Sequence, residues 1–289
     1  MSSLVQNRLN LHARESVLDL RGDMSLASSN RLAMRDVVEG LRLWRLAWIL
    51  ARLDIRLRYR GSILGPIWLT LSTAVFVCTL GILYAELFHI DVHYYLPYLA
   101  LSQVLWGFLA TLVGEGCTCF TQAEGVIRAV RMPLFLHAIR TLLRNVLVLL
   151  HNVVVIVVVD VIFAIWPGGY VMLALPGVVV WTVDALAIAL LLGAFCARFR
   201  DIGPIVGSVM QIAFFVTPVI WQARQLEPSD AALLPFNPFY ALLEIVRAPL
   251  LGIEPSGDAW VSAVLYSFAL CSLSWAVFIR ARGRVAFWF

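Results

Sequence analysis

LLRNVLVLLHNVVVIVVVDVIFAI, residues Leu142 to Ile165, carries two formal charges, Arg144 and Asp160, and is otherwise almost wholly apolar. A helix needs about 20 such residues to cross the hydrocarbon core of a bilayer. Helix is forced there, because each backbone N–H and C=O must find its partner within its own segment, and no stretch shows the short alternation of a barrel strand. Working outward, five more segments qualify: 66–88, 96–119, 171–196, 203–222 and 259–279. The chain reads as an all-α integral membrane protein with six transmembrane helices.

Composition points the same way. Hydrophobic residues make up 61% of the 289, charged residues 14%, and mean hydropathy is +0.87, outside the range of a soluble domain. Every one of the 22 basic residues is arginine. A phosphate-binding Walker A loop needs lysine to reach the β- and γ-phosphates, so this chain does not carry that ATPase site. The five cysteines lie in or beside apolar segments, which implies no disulfide framework. Cys117 and Cys119 also read as half a metal site, and His89, Asp91 and His93 as another, but neither has the further ligands a site needs; burial and a solvated loop are the competing readings. No metal and no nucleic-acid partner are expected.

Arginine placement sets the orientation, since basic residues in short flanking loops stay on the cytoplasmic side. Arg31, Arg35, Arg42, Arg45, Arg52, Arg56, Arg58 and Arg60 precede the first span; Arg128, Arg131 and Arg140 lie in the second connection, Arg198 and Arg200 in the fourth, and Arg280, Arg282 and Arg284 at the end. These are alternate loops, so both termini are expected in the cytoplasm. Residues 1–34 lack the apolar core of a signal peptide and read as a cytoplasmic tail. Residues 35–60 place Arg42, Arg45, Arg52 and Arg56 in one narrow helical stripe beside leucines and tryptophans, which predicts an amphipathic helix lying in the interface. The six-helix domain then occupies 61–289. Within it, 232–253 is apolar but broken by Pro235, Pro238 and Pro249, and reads as short re-entrant helices on the outer side, with Glu244 and Arg247 placed to pair as an outer gate.

Three stretches carry a family resemblance: Leu53-Asp-Ile-Arg-Leu-Arg-Tyr-Arg-Gly-Ser-Ile-Leu-Gly-Pro-Ile-Trp68; Arg200-Asp-Ile-Gly-Pro204 followed by Gln211 and Phe214-Phe-Val-Thr-Pro-Val-Ile-Trp221; and Phe236-Asn-Pro-Phe-Tyr240 running into Glu244 and Arg247. In combination, over roughly residues 40–289, they resemble the permease of type-2 ATP-binding-cassette exporters, in the branch that moves O-antigen, capsule and teichoic-acid polymers across the bacterial inner membrane. The resemblance implies a homodimer with two separate nucleotide-binding ATPase subunits, which bind ATP and Mg. It also implies a coupling helix at about 121–133, with Glu124, Arg128 and Arg131 as its polar residues; an ordinary topogenic loop is the alternative for each.

The cargo implied is a glycan on a lipid diphosphate. Arg56, Arg58 and Arg60, just before the first span, suit phosphate at a low-dielectric boundary; anchoring to anionic membrane lipid is the competing role. Trp68, Tyr84, Trp106, Phe214, Phe215, Trp221, Phe239 and Tyr240 are candidates to line the channel, against the alternative that they are interfacial anchors. Glu115, Asp160 and Asp184 fall within spans, where acids face protein or water, and with His151 and Arg144 nearby a proton relay competes with structural pairing. The rival functions are an exporter of a small lipid or drug, and an ion-coupled secondary transporter built on those acids. No catalytic constellation is visible.

Overall fold

The computed structural model describes residues 26–65, 67–165 and 168–288, and every regular element among them is helical. The tail expected over 1–34 lies outside the described residues as far as residue 25, but helix already begins at Leu26. The single helix expected over 35–60 is two, α1 (Leu26–Arg42) and α2 (Trp44–Arg58), separated at Leu43. Each buries a row of mostly small residues, Ala33, Asp36 and Gly40 on α1 and Ala47, Ala51 and Ile55 on α2, and both rows face the helix that starts at Leu134. The contact is close. A Cβ on Gly40 would sit 2.9 Å from Phe135 Cβ and 3.1 Å from the Leu136 amide nitrogen. The stripe of Arg42, Arg45, Arg52 and Arg56 lies on the exposed side, with Arg45 and Arg52 over the rings of Trp44 and Trp48.

Among the described residues, five stretches are long and apolar enough to cross a membrane: α3 (Ile67–Phe88), α4 (Val92–Thr118), α6 (Leu134–Ile162), the 3-10 turn plus α7 (Gly169–Arg198, with α7 Ala174–Arg198), and α11 (Gly257–Ala281). Between α4 and α6, a 3-10 turn (Thr121–Ala123) leads into the short helix α5 (Glu124–Ala129). The span expected over 203–222 is shorter than read. Helix α8 runs Ile202–Val216, 15 residues, or about 22 Å at 1.5 Å per residue. Pro218 is the reason: a residue before proline is driven out of the helical region, and Thr217 is extended at φ −87°, ψ 136°. The segment after it folds into α9 (Pro228–Ala231), a 3-10 turn (Leu234–Phe236) and α10 (Pro238–Leu250).

Helix α4 is the centre of the bundle, with α3, α6, α7, α8 and α10 packed on it. Its buried residues include Leu99, Leu101, Leu105, Trp106, Leu109 and Leu112. Helix α10 seats Leu243, Ile245 and Val246 against α4, α7 and α11. Gly177 permits this, since a Cβ there would lie 2.9 Å from Val246 Cγ2 and 3.0 Å from the Ile245 carbonyl oxygen. Val75, Ile82, Leu83 and Leu87 of α3 and Val157, Val158 and Val161 of α6 stay exposed, a cost in water but none against lipid tails.

Candidate transport path

At the arginine-rich end, five charged side chains form one network. Glu115 on α4 accepts from Arg58 Nη2 at 2.7 Å, Arg144 Nε at 2.7 Å and Asn145 Nδ2 at 2.8 Å. Arg144 also reaches Asp54 Oδ2 at 3.2 Å, and Arg140 grips the same carboxylate with two donors. Helices α2, α4 and α6 are thereby tied together. Burial works against the charge on Arg58, but its hydrogen bond and Coulomb attraction to Glu115 outweigh that and raise its pKa. Arg144 is therefore already committed to two carboxylates, and His151 hydrogen-bonds its own helix at Leu147 O. Those contacts favour structural pairing over a relay for Glu115, Arg144 and His151. Nearby, Asp36 of α1 is buried and accepts from the Leu134 and Phe135 amides at 3.3 and 3.0 Å and from Arg282 Nε at 2.9 Å. It caps α6 from another helix.

A second polar cluster holds the segment that follows α8. Tyr95 OH donates to Ile220 O at 2.7 Å, and Tyr98 OH lies 2.8 Å from Pro218 O and 3.0 Å from Trp221 O. Arg247, 2% exposed, pairs with Glu244 and also donates to Pro218 O, to Tyr98 OH at 2.9 Å and to Ser102 Oγ at 3.1 Å. Asn237 caps α10 through the Phe239 and Tyr240 amides, while its Nδ2 donates to Thr217 Oγ1 at 2.9 Å. The carbonyls of Pro218, Ile220 and Trp221, outside any helix, are thus satisfied by side chains, as irregular backbone in this setting requires.

Between the two clusters runs an unpacked face. Gln103, Gly107, Ala110 and Gly114 follow one another at steps of four, three and four, which puts them within about 60° on α4. Ala110 and Gly114 line a cavity of ≈ 540 Å³ at the arginine-rich end, together with Thr118, Thr121, Glu124, Arg200, Gly203 and Gly207 among others. Gln103 and Gly107 line a second pocket of ≈ 290 Å³ with Ser72, Thr73, Phe76, Val104 and Asn152. A Cβ on Gly107, Gly114, Gly203 or Gly207 would meet no heavy atom within 4 Å. Residues 45–251 match the family model described as ABC-2 type transporter. The chain belongs to the ABC-2 type transporter family.

Relatives of this ABC-2 type transporter include a Myxococcus xanthus protein named O-antigen export system permease protein RfbA, 23% identical over 201 residues, covering 69% of this chain and 77% of that protein. Two Klebsiella pneumoniae proteins of the same name are 20% identical over 206 residues and 18% over 253; the matches cover 70% and 84% of this chain and 78% and 95% of theirs.

The residues singled out from the sequence of this ABC-2 type transporter fall as follows. Arg56 and Arg60 are exposed, and Arg58 is bound to Glu115. Trp106, Phe214, Phe215 and Phe239 join in one chain of ring contacts with centroids 5.3–5.8 Å apart. Trp106 is buried at its centre and Phe215 exposed at its edge. The Trp221 indole donates to Phe215 O at 2.9 Å, and Tyr240 is half-buried at the start of α10. Trp68, exposed, and Tyr84, 5.4 Å from Phe88, lie apart on α3. Glu124 pairs with Arg128 at 3.0 Å on α5, which has no buried residue, and Arg131 is exposed in the stretch before α6. Asp91 caps α4 through the His93 amide. Asp36, Asp54, Tyr95, Tyr98, Asn145 and Asn152 have no signature in the sequence, because each bonds a partner far away in the chain. Asn237 was readable as a cap, standing directly before a proline at the first helical position.

Proposed function

We propose that the chain is the permease subunit of an exporter of lipid-diphosphate-linked, O-antigen-like polysaccharide, working as a homodimer. Two copies of a separate nucleotide-binding subunit bind ATP and Mg, and hydrolysis there drives transport. The observation that carries the reading is the family match, joined to three relatives whose names specify O-antigen export. In this reading the protein sits in the bacterial inner membrane with both termini in the cytoplasm. Helix α8 and the tied segment after it make the sixth crossing.

Geometry supports the reading in three ways. The open face of α4, floored by glycine, is the wall of a half-channel that a second copy closes. The exposed helix α5 offers Glu124, Arg128 and Arg131 to the ATPase at the end where the arginines gather. Arg58 shares Glu115 with Arg144 and Asn145, so it can swing to a diphosphate, beside Arg56 and Arg60, without stranding that carboxylate. Tyr84, Phe214, Phe215 and Trp221 then offer ring faces to sugar C–H surfaces, while Glu244 and Arg247 hold the outer gate.

Co-purification with candidate ATPase subunits, followed by ATPase and export assays in proteoliposomes, tests this. A stable two-plus-two complex whose ATPase responds to lipid-linked glycan is expected. A complex that responds to small lipids or drugs instead, or export that persists without ATP, refutes it.

A further inference from the structure

The geometry points to a sugar-binding subsite at mid-membrane, between α3, α4 and α6, formed by Gln103, Asn152, Ser72 and Thr73 around the ring of Phe76. It deepens the exporter reading and rests on it. Gln103 stands near the middle of α4, where water is scarce and a polar group without a partner is costly. Its Oε1 is nevertheless sealed from solvent with no hydrogen-bond partner among the described residues. Thr73 Oγ1 approaches both Leu69 O at 3.0 Å and Asn152 Oδ1 at 3.3 Å, one hydroxyl proton for two acceptors. Ser72 Oγ donates to Leu69 O at 3.0 Å, which leaves its lone pairs open. Thr73 meets one atom of the Asn152 carboxamide, whichever way the amide is turned, which leaves the other for a ligand. A pocket with unspent acceptors and donors at this depth is built for something that supplies both.

The chemistry selects the occupant. None of the lining side chains is charged, which disfavours an ion or a phosphate. Carboxamides and hydroxyls together match sugar hydroxyls, which both donate and accept. Phe76 is 43% exposed and lines the pocket, where an aromatic ring suits the C–H side of a sugar. Gly107 adds open backbone with no Cβ to block approach. The volume, ≈ 290 Å³, is at the lower bound of ligand pockets, which suits one sugar unit rather than several. Gln103 and Gly107 share their face with Ala110 and Gly114, so a polymer laid along α4 from the arginine-rich end passes this pocket. The subsite reads the units of the polymer one at a time, apart from the arginines that meet its diphosphate.

The test uses the complex with its ATPase in proteoliposomes. Gln103→Met and Asn152→Leu keep side-chain size and remove the hydrogen bonds. Stimulation of ATPase is titrated with lipid-linked glycan and with the same lipid diphosphate lacking sugar. Loss of one neutral hydrogen bond is worth about a threefold to tenfold change in binding. Each variant is expected to raise KM for the glycan substrate by about that factor relative to the sugar-free lipid. Equal shifts for both substrates, or none while wild-type export is normal, overturn the proposal. So does loss of the homodimer on size-exclusion chromatography, which assigns these side chains to a copy–copy contact. If the wild-type complex ignores glycan altogether, the exporter reading falls and the subsite with it.

Discussion

Replacing Arg247 with Met removes the cation that ties the last turn of α10 to α4 and to the turn that follows α8. Methionine keeps the length and apolar stem, so the change is electrostatic. Three bonds to neutral groups are lost, to Pro218 O, Tyr98 OH and Ser102 Oγ, along with the pairing to Glu244. Interhelical hydrogen bonds in membrane proteins are worth about 0.6–1.7 kcal/mol each. The neutral bonds alone then contribute roughly 2–5 kcal/mol, and the partly exposed Glu244 adds the penalty of a stranded charge. At about 2–4 °C per kcal/mol for a chain of this size, the melting midpoint in detergent falls by on the order of 10 °C. Arg224→Met, at an exposed arginine just beyond the same segment, leaves it unchanged. Adding Glu244→Gln to Arg247→Met restores only the share owed to the stranded carboxylate. An Arg247→Met protein melting within about 2 °C of wild type refutes the reasoning.

Asp36→Ala strips two amides of their cap and Arg282 of its partner, and should cost about 1–3 kcal/mol, read as a lower midpoint in the same assay. Gly40→Val forces a side chain into Phe135 and the α6 backbone; limited proteolysis should then cut within α1 faster than in wild type. Arg128→Glu combined with Arg131→Glu reverses the charge of the exposed segment around α5 and should abolish co-purification of the ATPase while the permease still folds. Arg56→Gln with Arg60→Gln should weaken stimulation by lipid diphosphate and flatten its salt dependence.

Most of the fold was legible because a bilayer allows few structures: apolar runs such as Leu142–Ile165 have no alternative to helix. The ends were less so. Helix α6 begins at Leu134, well before the run does, because Asp36 caps it and Asp54 and Glu115 neutralise Arg140 and Arg144, and no local pattern announces partners on other helices. Helix α8 was read too long because hydropathy continues through Val219, Ile220 and Trp221 while the backbone turns at Thr217. That stop was legible in principle, since Pro218 restricts the residue before it. Of the candidate site, the Glu244–Arg247 pair was visible at helical spacing, but the phenols of Tyr95 and Tyr98 that complete its surroundings were not. Gln103 and Asn152 stand in separate apolar runs, and only the packing of α3, α4 and α6 makes them neighbours.

Packing and ion pairs are spread unevenly over the helices. Helix α5 is continuous through short connections with α4 and α6, and Glu115 and Arg144 bolt those two helices together close to it, with α2 added through Asp54 and Arg58. Helices α2, α4 and α6 are thereby joined by charge close to α5. Helix α8 differs: Met210 is its one buried residue, and Gly203 and Gly207 leave a gap toward α4. Its far end is held by Arg247, Tyr98 and Asn237. Along its length α8 meets the core through Met210, Val206, Ala213 and Phe214, so its seating beside the unpacked face of α4 leans on the fastening beyond Val216.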